Sequence, residues 1–417
     1  KRETITMDHF DDLETRNPEV RERTLLGELS KQISNAKHNA PGWTEILSDV
    51  IPSDINSRET LAQLPVTRKS ELNARQTNIP PLGGLIATGS GELSWVFCSP
   101  GPIYEPGGRS GDFWRMGRAL YAAGFRQGDI IHNTFAYHLT PAGHMMEAGA
   151  HACGCIVVPG GVGNTEQQLQ AITHIRPKGY VGTPSFLRIL LEKANESPFN
   201  VSSITNAAVG GEALPPSLRD YFKSCGIDVL QSYGTADLGL VAYESPAMDG
   251  MILDEGVIVE IVRPGTGEPV DEGEVGEIVV TTLNPIYPLI RFATGDLSAI
   301  LSGESPCGRT NTRIKGWMGR ADQTTKVKGM FVHPQQIAQV ATRHPEIKRA
   351  RLVVDNINHV DVMTLHCEVS SVSDGQLKNA INESLNAICK LKGDVTLSQP
   401  GTLANDGKVI DDIRTYE

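Results

Sequence analysis

Between Ser94 and Gly234 the apolar positions alternate between two textures. Short continuous runs, "WVFC", "DIIHNTF", "CIVVPGG", "GYVGTP", "NAAVGG" and "DVLQSYG", read as buried strands. Between them, "DFWRMGRALYAAGF", "GHMMEAGAHA", "TEQQLQAITHI", "SFLRILLEKA" and "PSLRDYFKSCG" carry the spacing of amphipathic helices. This alternation predicts an α/β fold whose largely parallel sheet is covered by helices on both faces. Ligands of such sheets gather where strands end in glycine-bearing loops, here "VGTPS", "VGGEA" and "SYGTAD".

After Tyr243 the pattern changes. "MILDEGVIVEIVRPGTGEPVDEGEVGEIVVTTL" has β-branched runs broken by Gly, Pro and acidic turns, the mark of antiparallel hairpins. From about Asp322 a smaller α+β unit reads as helix, two strands, helix and strand: "HPQQIAQVATRH", "KRARLVV", "DVMTLHCEV", "GQLKNAINESLNAICKL" and "DVTLS". The predicted organisation is an N-terminal domain over 1–321 and a C-terminal domain over 322–417.

Composition narrows the function classes. A chain of 417 residues has room for two or three domains. A formal charge of −11 with mixed signs argues against a general nucleic-acid or anionic-membrane binder. No apolar run reaches spanning length, and "KRETITMDHFDDLE" lacks the apolar core of a signal peptide, so a cytoplasmic soluble protein without a membrane partner is expected. Seven scattered cysteines read as reduced thiols. "HACGC" runs straight into a strand pattern, and no second cluster is spaced to complete four ligands, so no structural zinc is expected.

The loop "CSPGPIYEPGG" falls where nucleotide enzymes place a phosphate cradle. Gly101, Gly107, Gly108 and Ser99 are present, but three prolines lack an N–H and Glu105 would repel a polyphosphate. On its own it reads as a proline-stiffened turn with too few donors for Ser99 to belong to a working phosphate cage.

Seven segments in order, "LPVTRKSEL", "VGGEALPPSLRDYF", "QSYGTADLG", "GEVGEIVVTTL", "RFATGDL", "GRADQTTKVKGMFVHPQQI" and "GTLANDGKVIDD", resemble the acyl-adenylate-forming enzymes. The likeness is greatest to the phenylacetate–coenzyme A ligase branch and spans nearly the whole chain. It implies a large N-terminal domain with layered, largely parallel sheets and an antiparallel β subdomain, and a small mobile α+β C-terminal domain. The implied chemistry joins a carboxylic acid to the α-phosphorus of ATP, releases pyrophosphate, and passes the acyl group to coenzyme A with loss of AMP. Aryl and arylacetic acids are the expected substrates.

By that resemblance Asp296 holds the ribose hydroxyls, and Arg320 contacts ribose and phosphate. Gly210, Gly211 and Glu212 pass beside the adenine, with Ser232, Tyr233, Gly234 and Thr235 completing the nucleotide site. Lys408 is the catalytic lysine, and Asp237 reaches Mg²⁺ with a shorter arm than the family's glutamate. Asp322 is the hinge, while Lys328 and Gly329 meet coenzyme A. Phe135, Tyr137, His138, Ala142 and Gly143 suit a pocket for a flat acid. The resemblance leaves room for a homodimer. Two alternatives stand beside the ligase: an adenylating enzyme with another acceptor, and a non-catalytic nucleotide- or acyl-binding homologue with a degraded phosphate loop.

Overall fold

The computed structural model describes residues 8–99, 102–109, 111–321, 323, 325–328, 330–357, 360–370 and 375–414. Its chain divides into two compact units, one of 1–259, 280–292 and 301–317, the other of 260–279, 293–300 and 318–417.

In the first unit, helix α1 (Pro18–Asn39) precedes a hairpin of β1 (Leu93–Ser99) and β2 (Ile103–Gly108). There follow α2 (Gly117–Ala122), β3 (Ile130–Asn133), α3 (Ala142–Ala152), β4 (Ile156–Pro159), α4 (Thr165–Ile175), β5 (Gly179–Gly182) and α5 (Pro184–Asn195). Then come β6 (Asn206–Val209), α6 (Pro216–Ser224), β7 (Asp228–Thr235), β8 (Gly239–Glu244) and β9 (Met251–Leu253). Strands β4, β3, β5, β6 and β7 lie side by side and parallel, while β8 pairs antiparallel with β7, and β9 with β8.

The predicted alternation of strand and helix is what forms. Helix α5 shows why at one end: the Thr183 hydroxyl accepts the Phe186 N–H as N-cap, and Pro184 occupies the first helical turn. Its Leu187, Leu190 and Leu191 recur at helical spacing and are buried with Tyr180 of β5 and Val209 of β6. The segment "DFWRMGRALYAAGF" differs from the expected helix. Helix α2 begins only at Gly117, because the Asp112 carboxylate binds the N–H groups of Met116 and Gly117 and holds the preceding residues as turns.

The thiols of "HACGC" are packed into the core of the first unit. Cys153 and Cys155 sit in the apolar core beside Met116 and Phe125, with their Sγ atoms toward the Gly117 and Arg126 carbonyls. Burial pushes them up to about 12 and about 11.

In the second unit, hairpin β10 (Thr325–Val327) and β11 (Met330–Val332) leads into α7 (Pro334–Arg343), β12 (Ile347–Ile357), β13 (Val360–Val369), α8 (Gly375–Cys389), β14 (Asp394–Ser398) and β15 (Ile410–Asp412). The sheet order is β14-β13-β12-β15, with β12 and β13 antiparallel and the outer strands parallel to their neighbours. Leu352, Leu365, Ile381, Leu385 and Ile410 are among its buried core. Among the described residues no helix is long and apolar enough to cross a membrane.

Candidate functional site

In the first unit the glycine-bearing strand ends converge. At the β7–β8 turn the strands cross so closely that a Cβ on Gly234 would lie 2.5 Å from the Gly239 carbonyl oxygen, so only glycine keeps that register. A cavity of about 160 Å³ opens beside this turn. Its apolar lining comes from Met116, Phe135, Ala142, Met145 and Met146. The rest includes Gly210, Gly211, Ser232, Gly234 and Thr235, from the ends of β6 and β7, with Ser99 from β1.

The other expected site residues of this unit have separate partners. Glu212 is exposed and accepts the Ser185 N–H at 3.3 Å. Tyr233 is half-buried and pairs with Ala242 of β8. The lining of the cavity does not include Tyr137, His138 or Gly143. Tyr137 turns its hydroxyl to Glu147 at 2.9 Å and to Asn133 at 2.8 Å, its ring lies over Gly143, and His138 is exposed.

The described residues of "CSPGPIYEPGG" form strand pairs of the hairpin β1–β2, and its glutamate points inward. Glu105 of β2 is fully buried and accepts a hydrogen bond from the Ser99 hydroxyl through Oε1. Burial pushes its carboxyl up to about 7, opposed by the Ser99 bond and reinforced by the charge of Asp237. Asp237, whose side chain has no exposure, accepts from Lys69 Nζ at 2.5 Å through Oδ2. Lys69 belongs to the "LPVTRKSEL" segment, yet only the structure brings it onto Asp237, 168 positions along the chain. Pro100 and Gly101 of this loop lie outside the described residues.

In the second unit Asp296 and Arg320 are joined at 2.9 Å and by a backbone bridge, and Gly295 between Thr294 and Asp296 takes a positive φ of 75°. Arg320 and Lys408 line one cavity of about 360 Å³ together with Gln323, Asp406 and Asp411. Lys408 precedes β15, is exposed, and pairs with Asp411 at 2.7 Å. Gln323 ties this stretch down: its Oε1 accepts the N–H of Ile410 at 2.8 Å, and its Nε2 donates to the Gly407 carbonyl. Lys328 is an exposed turn residue of the β10–β11 hairpin, with φ of 47° and its N–H on Asp361. The proposed hinge Asp322 and Gly329 lie outside the described residues. Among those residues no group of three or more His, Cys, Asp or Glu side chains is placed to hold a metal.

Residues 115–284 match the family model described as AMP-binding enzyme. The chain is 31% identical to the phenylacetate-coenzyme A ligase of Thermus thermophilus over 373 residues, covering 85% of this chain and 82% of that one. To the phenylacetate-coenzyme A ligase of Pseudomonas putida it is 28% identical over 426 residues, covering 96% and 95%. The crystal structure of an open conformation of 2-hydroxyisobutyryl-CoA ligase superposes with a TM-score of 0.71 at 24% identity, over 94% of this chain and 90% of that one, which establishes the fold. With that identity over most of both chains, and the strand ends disposed as described, the chain belongs to the phenylacetate–coenzyme A ligase branch of the adenylate-forming, AMP-binding enzymes.

Proposed function

We propose that this protein activates an aryl or arylacetic acid with ATP as the acyl-adenylate and transfers the acyl group to coenzyme A. The observation that carries the reading is the cavity of about 160 Å³ with methionine, phenylalanine and alanine on its apolar side and the glycine-bearing ends of β6 and β7 on its lining. An apolar enclosure suits the ring of such an acid, and glycines let a flat group approach the backbone. Methionine side chains adapt to the ring edge.

Each remaining residue is assigned a role by the family. Gly210, Gly211, Glu212, Ser232, Tyr233, Gly234 and Thr235 bind the nucleotide. Asp296 accepts from the ribose hydroxyls, and Arg320, already bonded to it, turns its other guanidinium nitrogens to the phosphate. Lys408 offsets the negative charge that develops between the attacking carboxylate and the α-phosphorus. It can do so because it is exposed and tethered only by an ion pair near the surface. Mg²⁺, arriving with ATP, would be held through Asp237 and would neutralise the departing pyrophosphate. Lys328 and Gly329 are assigned to coenzyme A, and Asp322 to the hinge between domains 1–321 and 322–417. Phe135 and Ala142 line the acid pocket, whereas Tyr137, His138 and Gly143 act behind it, through the bonds that fix the start of α3. We place the reaction in the cytoplasm.

Pyrophosphate release measured with a panel of acids, with and without coenzyme A, tests the reading. Release that depends on an aryl or arylacetic acid, followed by a thioester detected by mass spectrometry when coenzyme A is added, is the expected result. Release without thioester would move the acceptor to another thiol or amine. No release with any acid would overturn the ligase assignment in favour of a binding protein.

A further inference from the structure

In the second unit one side chain fastens the backbone on both sides of Lys408. Gln323 accepts the N–H groups of Val409 and Ile410 through Oε1, and donates through Nε2 to the carbonyls of Gly407 at 3.2 Å and Arg320 at 3.4 Å. A primary amide has one oxygen with two lone pairs and one nitrogen with two hydrogens. All four capacities are used, and three of the bonds go to backbone that flanks Lys408. The neighbouring strand shows why a clamp is needed there. β15 is the edge of its sheet and pairs with β12 alone, where the Leu352 N–H reaches the Val409 carbonyl at 2.8 Å. The N–H groups of Val409 and Ile410 go instead to Gln323, and Ile410 is buried, where a lost partner is not replaced by water.

We propose that Gln323 is a positioning residue for Lys408, holding the backbone on both sides of the lysine at a set place relative to Arg320 so that both cations face one phosphate. The two do line a single cavity of about 360 Å³, and Gln323 lines it with them. A lysine is a point charge on a flexible four-carbon stem, so neighbours aim it chiefly through its backbone. Stabilisation of developing charge depends on donors already in place, which makes that aim matter.

The chain just before Lys408 has anchors of its own. A Cβ on Gly407 would lie 2.5 Å from a Val275 methyl, and Arg351 donates to the carbonyls of Ala404 and Lys408. Loss of the Gln323 amide would therefore loosen the lysine without unfolding the unit. Arg320 keeps its own bond to Asp296 at 2.9 Å, so the loss is felt through Lys408. Similar side chains do not replace the amide. Asparagine is one methylene short, glutamate sets a carboxylate against two carbonyls, and methionine keeps the length but forfeits all four bonds. The roles given to Lys408 and Arg320 rest on the ligase reading, and the inference rests on it with them.

The test is a double-mutant cycle of Gln323→Met and Lys408→Ala in the full-length protein. It is read by AMP affinity in calorimetry and by single-turnover pyrophosphate release with the acid that the panel selects. Gln323→Met alone should weaken AMP about fivefold and slow release about tenfold or more. Added to Lys408→Ala it should do neither, because it acts through the lysine, whereas a merely structural residue would cost the same in both backgrounds. Hydrogen exchange at the 409 and 410 amides should also quicken in Gln323→Met. Equal losses in both backgrounds overturn the proposal, as do wild-type AMP affinity in a folded Gln323→Met, unchanged exchange at those amides, or a wild type that does not bind AMP. Should Gln323→Met fail to fold, Gln323→Asn, too short to reach the loop, carries the same cycle. The outcomes separate from those of the ligase reading. A wild type that releases no pyrophosphate with any acid, yet shows the coupling in AMP affinity, keeps the clamp and loses the ligase function. One that releases pyrophosphate without coupling does the reverse.

Discussion

Lys408 and Ser99 illustrate opposite kinds of side chain, and they make different predictions. The Lys408 side chain is about half exposed and pairs with Asp411, while its carbonyl accepts from Arg351, a bond that an alanine would keep, so removing the side chain disturbs little packing. Lys408→Ala should therefore slow adenylation by about a hundredfold, the scale for one preorganised electrostatic partner, and leave stability within about 0.5 kcal/mol. Single-turnover pyrophosphate release and a urea melt on the same sample check both halves. Thioester formation from supplied acyl-adenylate should survive. Ser99 is buried, and its hydroxyl is what satisfies Glu105 Oε1. Ser99→Ala leaves that oxygen buried and unpaired and should cost about 1–3 kcal/mol in the urea midpoint. A midpoint unchanged from wild type would mean that Glu105 finds another donor.

The β7–β8 turn is where an element's geometry controls the site. Gly234 stands at the register shift between Tyr233 and Gly234, where β8 leaves no room for a side chain. Gly234→Ala must part the strands to relieve a 2.5 Å contact with backbone that cannot yield as a flexible side chain would. We expect a loss of about 1–3 kcal/mol, the range for overpacking, and a weakened affinity for AMP measured by calorimetry. The hairpin β1–β2 carries a related lesson. Its prolines and glycines were legible as turn residues, but pairing of Phe97 with Glu105 and of Ser99 with Ile103 turns the whole stretch into two strands. Local turn chemistry ranks turn against helix; it does not reveal that six residues on each side will find ladder partners.

Across the molecule, burial sorts the thiols. All seven cysteines are free, Cys225 is exposed, Cys98 is half-buried, and the other five are buried. Desolvation pushes Cys367 up to about 12 and Cys389 to about 11, so neither offers thiolate at neutral pH. Iodoacetamide under native conditions should label Cys225 first and Cys98 second, with the remaining five protected until urea unfolds the chain; mass spectrometry of tryptic peptides gives the order. The second unit carries a pH signature of its own. The hydrogen bond from Arg414, with a second from Thr325, holds the Asp412 carboxyl down to about 2, below its usual 3.8. A carboxyl depressed on folding contributes stability that is present above its unfolded value and lost as pH falls through the folded one. Stability of this unit should decline between about pH 4 and pH 2, and Asp412→Asn should flatten that decline in an acid titration followed by hydrogen exchange of β15.

Much of the fold was legible in the amino-acid order because its signals are local. The alternation of apolar runs with helical spacing is a property of ten to fifteen consecutive residues, and so are the Thr183 cap, Pro184 and the glycines after β6 and β7. The helix–strand–strand–helix–strand order after residue 322 was readable for the same reason. Site residues were legible only as members of motifs, which is why Asp296, Arg320 and Lys408 could be named while their bonds could not. What required the folded chain was every partnership between distant segments. Lys69 on Asp237 and Glu105 turned inward onto Ser99 follow from which strands pair and which side chains the core excludes from water. Glu105 in sequence is a charge that repels phosphate. In the structure burial changes its protonation, its neighbours and the chemistry it can support, because the cost of a charge is set by the dielectric and the partners around it rather than by the residue's name.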